Sequence, residues 1–220
     1  MTLPRLYPIA DRSCFADSPA LYRFVEELLA AGITLIQYRN KQGNAREILQ
    51  EARELRRIAS SFVPTLPTTV RVGHPRLIMN DRADLALAAG FDGVHVGQDD
   101  LSPQAVRNII GPDLWLGVST HNSEQLVLAD KSDADYLAIG PVYETGSKAN
   151  PDPIVGLDGV RRARMLTRKP MVAIGGIMVK NARDVIEAGA DSVAVISALV
   201  DAPRERAAEF LRAITLSASF

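Results

Sequence analysis

Basic and amide side chains alternate at the end of one β-rich run of the sequence. The segment QYRNK contains Gln37, Arg39 and Lys41, with Tyr38 and Asn40 between them. On an extended chain every second side chain lies on the same face, so the amide and the two cations are expected to share a face. Arginine offers a planar fork and lysine a point charge, which together suit a phosphorylated ligand. A loop tip held by salt bridges is the alternative interpretation.

Two carboxylates follow the next two β-rich runs, Asp81 in the segment MNDR and Asp100 in the segment HVGQDD. Mg²⁺ is usually bound by one or two carboxylates together with phosphate oxygens of the substrate. The pair therefore predicts a magnesium site, with Asp99 as the competitor of Asp100. Either residue could instead cap a helix, which is a common role for aspartate. The histidines are scattered along the chain and predict no zinc site.

A second group of anion-binding candidates follows the last two β-rich runs. Gly175 and Gly176 come after the seventh run, and Ser197 comes after the eighth. In barrels of alternating strands and helices this position often binds phosphate, because backbone N–H groups there can approach an anion closely. A tight turn without a ligand is the alternative for the two glycines.

The sixth run leads into a long polar segment, residues 142–153, which contains Thr145, Ser147 and Lys148. Segments of this length inside a small domain are usually functional or disordered. Two hydroxyl groups and an amine would suit a clamp that closes over an anion. A solvated loop is the alternative.

Two histidines lie close to the same run ends. His121 follows Ser119 by two residues in the segment GVSTH and is a candidate acid or base near neutral pH. It could equally orient a substrate or pack near the site. His95 lies inside the fourth run, so we expect it to pack or to hydrogen-bond inside the fold.

Each β-rich run is followed by a segment with helical periodicity. Several runs are almost continuous in Val, Ile and Leu, which is typical of strands buried on both faces of a parallel sheet. Ser18 is expected to cap a helix whose first residue is Pro19, and further helices are expected to begin after Asn44, Ser102 and Asn122. The predicted strands are residues 5–9, 33–38, 76–79, 93–96, 114–118, 136–139, 171–174 and 192–196.

Eight strand–helix units in a row predict an α/β fold, a (β/α)8 TIM barrel that forms a single compact domain over residues 1–220. An open, doubly wound sheet is disfavoured because no G-x-G-x-x-G motif follows the first strand. The active site of a barrel lies at the C-terminal strand ends, so the candidate residues are expected to meet at one mouth. The Pro-rich residues 60–75 interrupt the pattern and are expected to form a long loop at the opposite end.

The composition is that of a packed globular chain, with 47% hydrophobic residues, 23% charged residues and a net charge of −1. This balance predicts no nucleic-acid partner, since domains that bind nucleic acid are usually basic. One cysteine fits a reducing compartment. The first residues lack the pattern of a signal peptide, and no apolar run approaches the length of a membrane span. We therefore expect a cytoplasmic protein with no membrane partner; a homo-oligomer is one option that the sequence leaves open.

The ordered set of motifs resembles the thiamine-phosphate synthase family over about residues 5–200. The motifs that carry the resemblance are QYRNK, MNDR, HVGQDD, GVSTH, GPVYETGSK, AIGGI and VAVISA. The family joins 4-amino-2-methyl-5-pyrimidinylmethyl diphosphate to a thiazole phosphate in the presence of Mg²⁺. The resemblance thus implies small phosphorylated substrates, with thiamine phosphate and pyrophosphate as products.

The resemblance also implies roles for individual residues. Those that match contacts of the pyrimidine diphosphate are Gln37, Arg39, Lys41, Asn80 and Lys148, and Ser119 matches a residue of the pyrimidine pocket. Asp81 and Asp100 match the Mg²⁺ ligands. Those that match the thiazole-phosphate site are Thr145, Ser147, Gly176, Ile196 and Ser197. Catalysis is expected to rest on Arg39, Lys148 and Ser119. Ser147 stands where the family more often has threonine, which keeps the hydroxyl group.

The implied chemistry asks little acid–base work of the protein, which must stabilise a departing diphosphate and hold two reactants in line. A thiazole tautomerase of the sister family is one alternative, and His121 would then be the key residue. That family should not need the set of diphosphate-binding residues. A noncatalytic sensor of a phosphorylated ligand and another phosphate-binding barrel enzyme, such as an epimerase, are the remaining alternatives.

Overall fold

Eight parallel strands close into a barrel in sequence order, with β8 paired to β1. The computed structural model describes residues 2–62, 74–145 and 152–215. The strands are β1 Leu6–Asp11, β2 Leu35–Arg39, β3 Arg76–Asn80, β4 Gly93–Val96, β5 Trp115–Thr120, β6 Tyr136–Ile139, β7 Met171–Ile174 and β8 Ser192–Val195. The helices are α1 Ser18–Ala30, α2 Ala45–Ser61, α3 Ala83–Ala89, α4 Pro103–Ile110, α5 Ser123–Asp130, α6 Gly156–Leu166, α7 Val179–Glu187 and α8 Pro203–Thr215. The predicted barrel is confirmed.

The alternation of side chains along the strands divides the core into two layers. On β1, Tyr7 and Ile9 lie in the barrel interior, whereas Leu6 and Ala10 pack outward against the helices. The outer layer is the larger one, and it includes the apolar stripes of the surrounding helices. Both strand faces are therefore buried, which explains why the runs are apolar at nearly every position.

At the N-terminal end of the barrel, the starts of three strands share one arrangement of an aspartate, an arginine and a backbone N–H group. An aspartate immediately before an even-numbered strand accepts the backbone N–H of the preceding strand, with N···O distances of 2.7–2.8 Å. The same carboxylate pairs with an arginine of the helix that comes before this preceding strand. The three sets are Asp92 with Leu77 and Arg56, Asp135 with Leu116 and Arg107, and Asp191 with Met171 and Arg164. We call them the strand-entry clamps.

Helix caps agree with the sequence at three of the four predicted positions. The Asn44, Ser102 and Asn122 side chains accept backbone N–H groups at the starts of α2, α4 and α5. The prediction for α1 was wrong, because Asp17 is the cap and Ser18 is already helical. The Ser18 hydroxyl donates instead to the carboxylate of Glu51, 2.7 Å away.

Several strands run further toward the mouth than predicted. Asp11 and Arg39 lie beyond the predicted strand ends at residues 9 and 38, and they are paired with each other in the β1–β2 ladder. Asn80 and Thr120 are likewise the last residues of β3 and β5, because the parallel ladder continues through them. β8 ends one residue early at Val195, since Ile196 leaves the extended conformation.

Most of the Pro-rich segment predicted as a long loop, residues 63–73, lies outside the described residues. Within the described part of the chain, no helix combines the length and the apolar character that crossing a bilayer would require.

Candidate active site

A cavity of about 450 Å³ lies at the mouth formed by the C-terminal strand ends. Every predicted site residue that the structure describes lines it, and these residues are Gln37, Arg39, Lys41, Asn80, Asp81, Asp100, Ser119, Thr145, Gly176, Ile196 and Ser197. The predicted residues Ser147 and Lys148 lie outside the described residues. The floor of the cavity is apolar and includes Ile9, Val172 and Ala194. The structure thus brings together positions that are up to 160 residues apart in the chain.

Asp81 and Asp100 face one lysine at the β2–β4 side of the mouth. The Lys41 Nζ lies 2.5 Å from Asp81 Oδ2 and 3.9 Å from Asp100 Oδ1. Burial and the nearby Asp100 carboxyl raise the pKa of Asp81 to about 6, even though Lys41 opposes the shift. Two carboxylates with one ammonium group leave an excess of negative charge, which a divalent cation would neutralise.

Neither carboxylate caps a helix, which was the alternative to metal binding. The N-cap position of α3 is Arg82, without a side-chain hydrogen bond, and Ser102 caps α4. Asp81 itself has a φ of 61°, a left-handed conformation that aspartate adopts at a cost and that is concentrated at functional sites. Asp100 accepts the Gly97 N–H at 2.8 Å through Oδ2. Its Oδ1 faces Lys41.

Arg39 is held by a buried partner. Its Nη1 forms an ion pair with Asp11 Oδ2, while Asp11 Oδ1 accepts both the N–H and the hydroxyl of Ser13, at 3.0 and 2.7 Å. Asp11 is only 4% exposed, so its charge is compensated entirely by these neighbours. The arrangement fixes the guanidinium at the cavity wall.

Sequence reasoning missed a buried carboxylate that anchors the β2–α2 loop. Glu51 on α2 accepts from Arg12 at 2.8 Å, from Asn40 at 3.2 Å, from Ser18, and from the Tyr38 hydroxyl in a very short contact. Asn40 in turn accepts two backbone N–H groups of the loop that carries Lys41. The available signal was a charged residue on the apolar stripe of α2, where it lies beside buried alanine and leucine side chains.

Five side chains form a hydrogen-bonded chain across the barrel interior below the cavity. Gln37 Nε2 lies 3.1 Å from the Tyr7 hydroxyl, which lies 2.9 Å from the Tyr136 hydroxyl. His95 bridges the Tyr136 hydroxyl, 3.1 Å from Nδ1, and Ser119 Oγ, 2.8 Å from Nε2. Burial lowers the pKa of His95 to about 4, so the imidazole is neutral at neutral pH. The predicted interior position of His95 is confirmed, whereas the tyrosine partners were not foreseen.

His121 links the end of β5 to the loop after β6. Its Nδ1 lies 2.7 Å from the Gly140 carbonyl oxygen, which can only accept, so Nδ1 carries a hydrogen. Its Nε2 lies 3.5 Å from Asp152 Oδ2. The ring lines the cavity, and both of its nitrogens face protein groups. This geometry is that of a residue that positions the loop.

The glycine pair after β7 is required by close backbone packing. Gly175 and Gly176 have φ values of 100° and 65°. A Cβ on Gly176 would lie 2.4 Å from the Glu144 carbonyl oxygen, so no other residue fits there. Across from this turn, Ser197 begins a short 3₁₀ helix, Ser197–Leu199, whose first N–H groups have no partner within the helix. Such exposed N–H groups suit an anion.

A closed α/β barrel whose mouth carries cations, a carboxylate pair and glycine turns defines an enzyme that handles small phosphorylated ligands. Residues 6–199 match a family model described as thiamine monophosphate synthase. The thiamine-phosphate synthase of Koribacter versatilis is 59% identical over 215 residues, covering 96% of each chain. That of Chloroflexus aurantiacus is 43% identical over 198 residues, covering 90% of this chain and 86% of the relative.

A solved structure supports the same family. The thiamine phosphate pyrophosphorylase of Pyrococcus furiosus superposes with a TM-score of 0.81 at 32% identity, over 96% of this chain and 95% of that one. The chain belongs to the thiamine monophosphate synthase family, whose members are transferases. The family expected from the sequence motifs is therefore confirmed.

Proposed function

We propose that the protein joins 4-amino-2-methyl-5-pyrimidinylmethyl diphosphate to a thiazole phosphate, forming thiamine phosphate and pyrophosphate. The observation that carries this proposal is one cavity with two ends, each lined by groups that suit an anion. Cationic side chains and a carboxylate pair lie at β2–β4, and the glycine turn and 3₁₀ helix lie across the barrel at β7–β8. Two phosphorylated substrates placed at these ends would meet above the apolar floor.

The β2–β4 end suits the diphosphate. Arg39 and Lys41 supply positive charge, and the Asn80 amide lines the same wall. Asp81 and Asp100 are the residues that would hold Mg²⁺, because they are carboxylates that no helix uses as a cap. Bound there, Mg²⁺ would neutralise part of the charge that develops on the departing diphosphate. Lys148, from the loop after β6, is proposed to bind the same group.

The β7–β8 end suits the phosphate of the thiazole. Gly176, Ile196 and Ser197 line it, and the first N–H groups of the 3₁₀ helix at Ser197 have no partner within that helix, which suits phosphate oxygens. The hydroxyl groups of Thr145 and Ser147 are proposed to complete this end.

The reaction breaks the bond between the pyrimidine methylene carbon and a diphosphate oxygen, and the electron pair leaves with the diphosphate. The electron-rich aminopyrimidine stabilises the cation, and the thiazole nitrogen then forms the new C–N bond with its lone pair. The protein holds the reactants in line and binds the developing charge through Arg39 and Lys148. The apolar floor around Ile9 and Val172 keeps water away from the cation.

Purified protein incubated with both substrates and Mg²⁺ should release pyrophosphate and thiamine phosphate in equal amounts. A folded sample with saturating Mg²⁺ that releases no pyrophosphate would exclude the synthase. Isomerisation of the thiazole substrate without pyrophosphate release would instead support the tautomerase.

Lys148→Ala should lower kcat at least tenfold, since it removes a cation from the leaving group. The matched control is Lys131→Ala, which alters an exposed lysine at the C-terminus of α5. Circular dichroism checks that both variants are folded. An unchanged kcat in Lys148→Ala would remove this residue from the mechanism.

The proposal includes a cytoplasmic location, as expected for an enzyme whose substrates are small phosphorylated metabolites. Whether the protein acts as a homo-oligomer is measured by light scattering coupled to size-exclusion chromatography.

A further inference from the structure

One buried carboxylate joins the chain after β1 to the end of β2. Glu51 lies on α2 and is 6% exposed. Its Oε1 accepts from Arg12 at 2.8 Å and from the Ser18 hydroxyl at 2.7 Å, and both donors follow β1. Its Oε2 accepts from the Tyr38 hydroxyl and from Asn40 Nδ2, which lies 3.2 Å away. Each oxygen of this carboxylate is therefore used by a different strand end.

The donors around Glu51 keep it ionised. Burial acts against the charged form, but the hydrogen bonds from Tyr38, Ser18 and Arg12 outweigh burial and hold the pKa of Glu51 below its ordinary value. A buried polar network with all its members satisfied is rigid. Glu51 is thus a fixed point on α2 to which both strand ends are attached.

Asn40 extends this attachment to the loop between β2 and α2. Its Nδ2 donates to Glu51, which leaves Oδ1 to accept the backbone N–H groups of Gln42 at 3.1 Å and Gly43 at 2.8 Å. The loop packs closely on this amide, since a Cβ on Gly43 would lie 2.7 Å from Asn40 Nδ2. Lys41 lies between Asn40 and the two bonded N–H groups, so its backbone is held on both sides.

The same loop carries a cation of the cavity wall. Lys41 lines the cavity, and its Nζ lies 2.5 Å from Asp81 Oδ2 and 3.9 Å from Asp100 Oδ1. The Lys41 side chain is 47% exposed, and a lysine ammonium sits on a flexible four-carbon stem. The place of the ammonium group therefore depends on where the backbone of the loop is held.

We propose that Glu51 and Asn40 are positioning residues that hold Lys41 in place for the diphosphate of the substrate. Neither residue needs to touch that substrate, because both act through the backbone of the loop. A cation fixed in this way before binding loses little freedom when the ligand arrives, which favours affinity. The inference rests on the proposed function, in which the β2–β4 end of the cavity binds the diphosphate.

Glu51→Gln separates the two sides of the network by its chemistry. Glutamine keeps one acceptor oxygen and turns an NH2 group toward the donors on the other side. The oxygen is expected to stay with Arg12, since a guanidinium cannot accept, and the NH2 group then faces Tyr38 and Asn40. The Tyr38 hydroxyl can accept, but the Asn40 amide nitrogen cannot. Asn40 therefore loses either its contact with position 51 or its bonds to the loop.

The first test needs no substrate. Hydrogen exchange followed by NMR in the ligand-free protein reports on the N–H groups of Gln42 and Gly43. In Glu51→Gln both should exchange about tenfold faster than in the wild type, because their shared acceptor is no longer held. Unchanged rates would overturn the proposal, whether or not the protein proves to be a synthase.

The matched control is Asp92→Asn, which makes the same change from acid to amide at the opposite end of the barrel. It should leave the exchange of Gln42 and Gly43 unchanged. The same acceleration in this variant would mean that the loop responds to lowered stability of the whole fold, and it would overturn the positioning role.

Kinetics test whether the effect reaches the diphosphate end. Glu51→Gln should raise KM for the pyrimidine substrate about tenfold and leave KM for the thiazole phosphate unchanged. Asn40→Ala breaks the same link while Glu51 is kept, so it should give the same split. The double variant should be no worse than Glu51→Gln alone, because the two changes remove one link.

Equal rises of KM for both substrates, or losses that add in the double variant, would overturn the positioning role. A wild type that releases no pyrophosphate would count against the synthase, and the exchange rates of Gln42 and Gly43 would then decide whether Glu51 holds the loop.

Discussion

At the residue scale, the aspartates that follow β3 and β4 differ in their backbone conformation, their contacts and their exposure to solvent. Asp81 has a left-handed backbone and caps no helix, and Asp100 shares Lys41 with it. Asp99 is the adjacent acid and is exposed to solvent. Asp81 and Asp100 are therefore the pair that a single cation could bridge.

Asp100→Asn should raise the Mg²⁺ concentration for half-maximal activity at least tenfold, because a neutral amide is a weaker ligand than a carboxylate. Asp99→Asn is the matched comparison and should change that concentration less than twofold. Metal titration of the initial rate measures both, and removal of Mg²⁺ by a chelator should stop the reaction. The reverse ranking of the two variants would assign the ligand to Asp99.

His95 makes the stability of the fold depend on pH. Burial lowers its folded-state pKa to about 4, whereas the unfolded value is about 6.5. Between these two values the unfolded chain binds a proton that the folded chain does not, so stability falls as pH drops. The contribution is fully present above about pH 6.5 and about 2 kcal/mol of it is lost by pH 5.

Urea unfolding of the wild type and His95→Gln at pH 7.5 and pH 5 measures this contribution. Glutamine does not titrate, so the variant should lose about 2 kcal/mol less than the wild type over this range. Other groups titrate in both proteins and cancel in the comparison. Equal losses would show that His95 is protonated in the folded protein.

At the element scale, the three strand-entry clamps tie neighbouring units together at β3–β4, β5–β6 and β7–β8. Asp92 is the most enclosed of the three, since its side chain is 13% exposed and that of Arg56 is 16% exposed. The carboxylate also holds the backbone N–H of Leu77 on the neighbouring strand. Loss of this group leaves both a half-buried cation and an N–H without their partner.

Asp92→Ala should therefore lower the free energy of unfolding by about 3 kcal/mol. The control is Asp158→Ala, which removes an exposed ion pair with Arg161 on α6 and should cost less than about 0.5 kcal/mol. Chemical denaturation of both variants gives the two values. Similar losses would mean that the clamp contributes no more than a surface pair.

The elements themselves could be predicted from the sequence because their signals are local. Strands buried on both faces are apolar throughout, and Asn44, Ser102 and Asn122 mark helix starts through short side chains that accept nearby N–H groups. The grouping of the site residues at the mouth could be predicted from the fold, since a barrel brings all C-terminal strand ends together. The error at Ser18 arose because its hydroxyl is used by Glu51, far along the chain.

The positioning contacts could not be predicted, because they depend on register between distant strands. Tyr7 and Tyr136 are 129 residues apart, and only the closed barrel brings their hydroxyls together. Glu51 pairs with Arg12 across 39 residues in the same way. A sequence shows that such residues lie on an inward face, but it does not show which partner each one meets.

At the scale of the whole molecule, the net charge of −1 conceals a mouth whose described cations are already paired. Arg39 binds Asp11, and Lys41 lies between Asp81 and Asp100. Two carboxylates share one ammonium group there, so an excess of negative charge remains, and the proposed binding of a diphosphate at this end would need a divalent cation between Asp81 and Asp100. In the proposed function it is this local arrangement of charges, and not the net charge of the chain, that governs the binding of the phosphorylated substrates.

The barrel is closed by β8 pairing with β1, so neither half of the chain has a complete sheet without the other. Unfolding should then be a single cooperative transition. The only tryptophan, Trp115 on β5, lies 4.4 Å from the Arg76 guanidinium and reports on that part of the barrel, while far-ultraviolet circular dichroism reports on all the helices. The two urea curves should coincide, with the same midpoint and slope. Separate transitions would mean that part of the barrel unfolds on its own, and that the closing β1–β8 ladder does not couple the two halves.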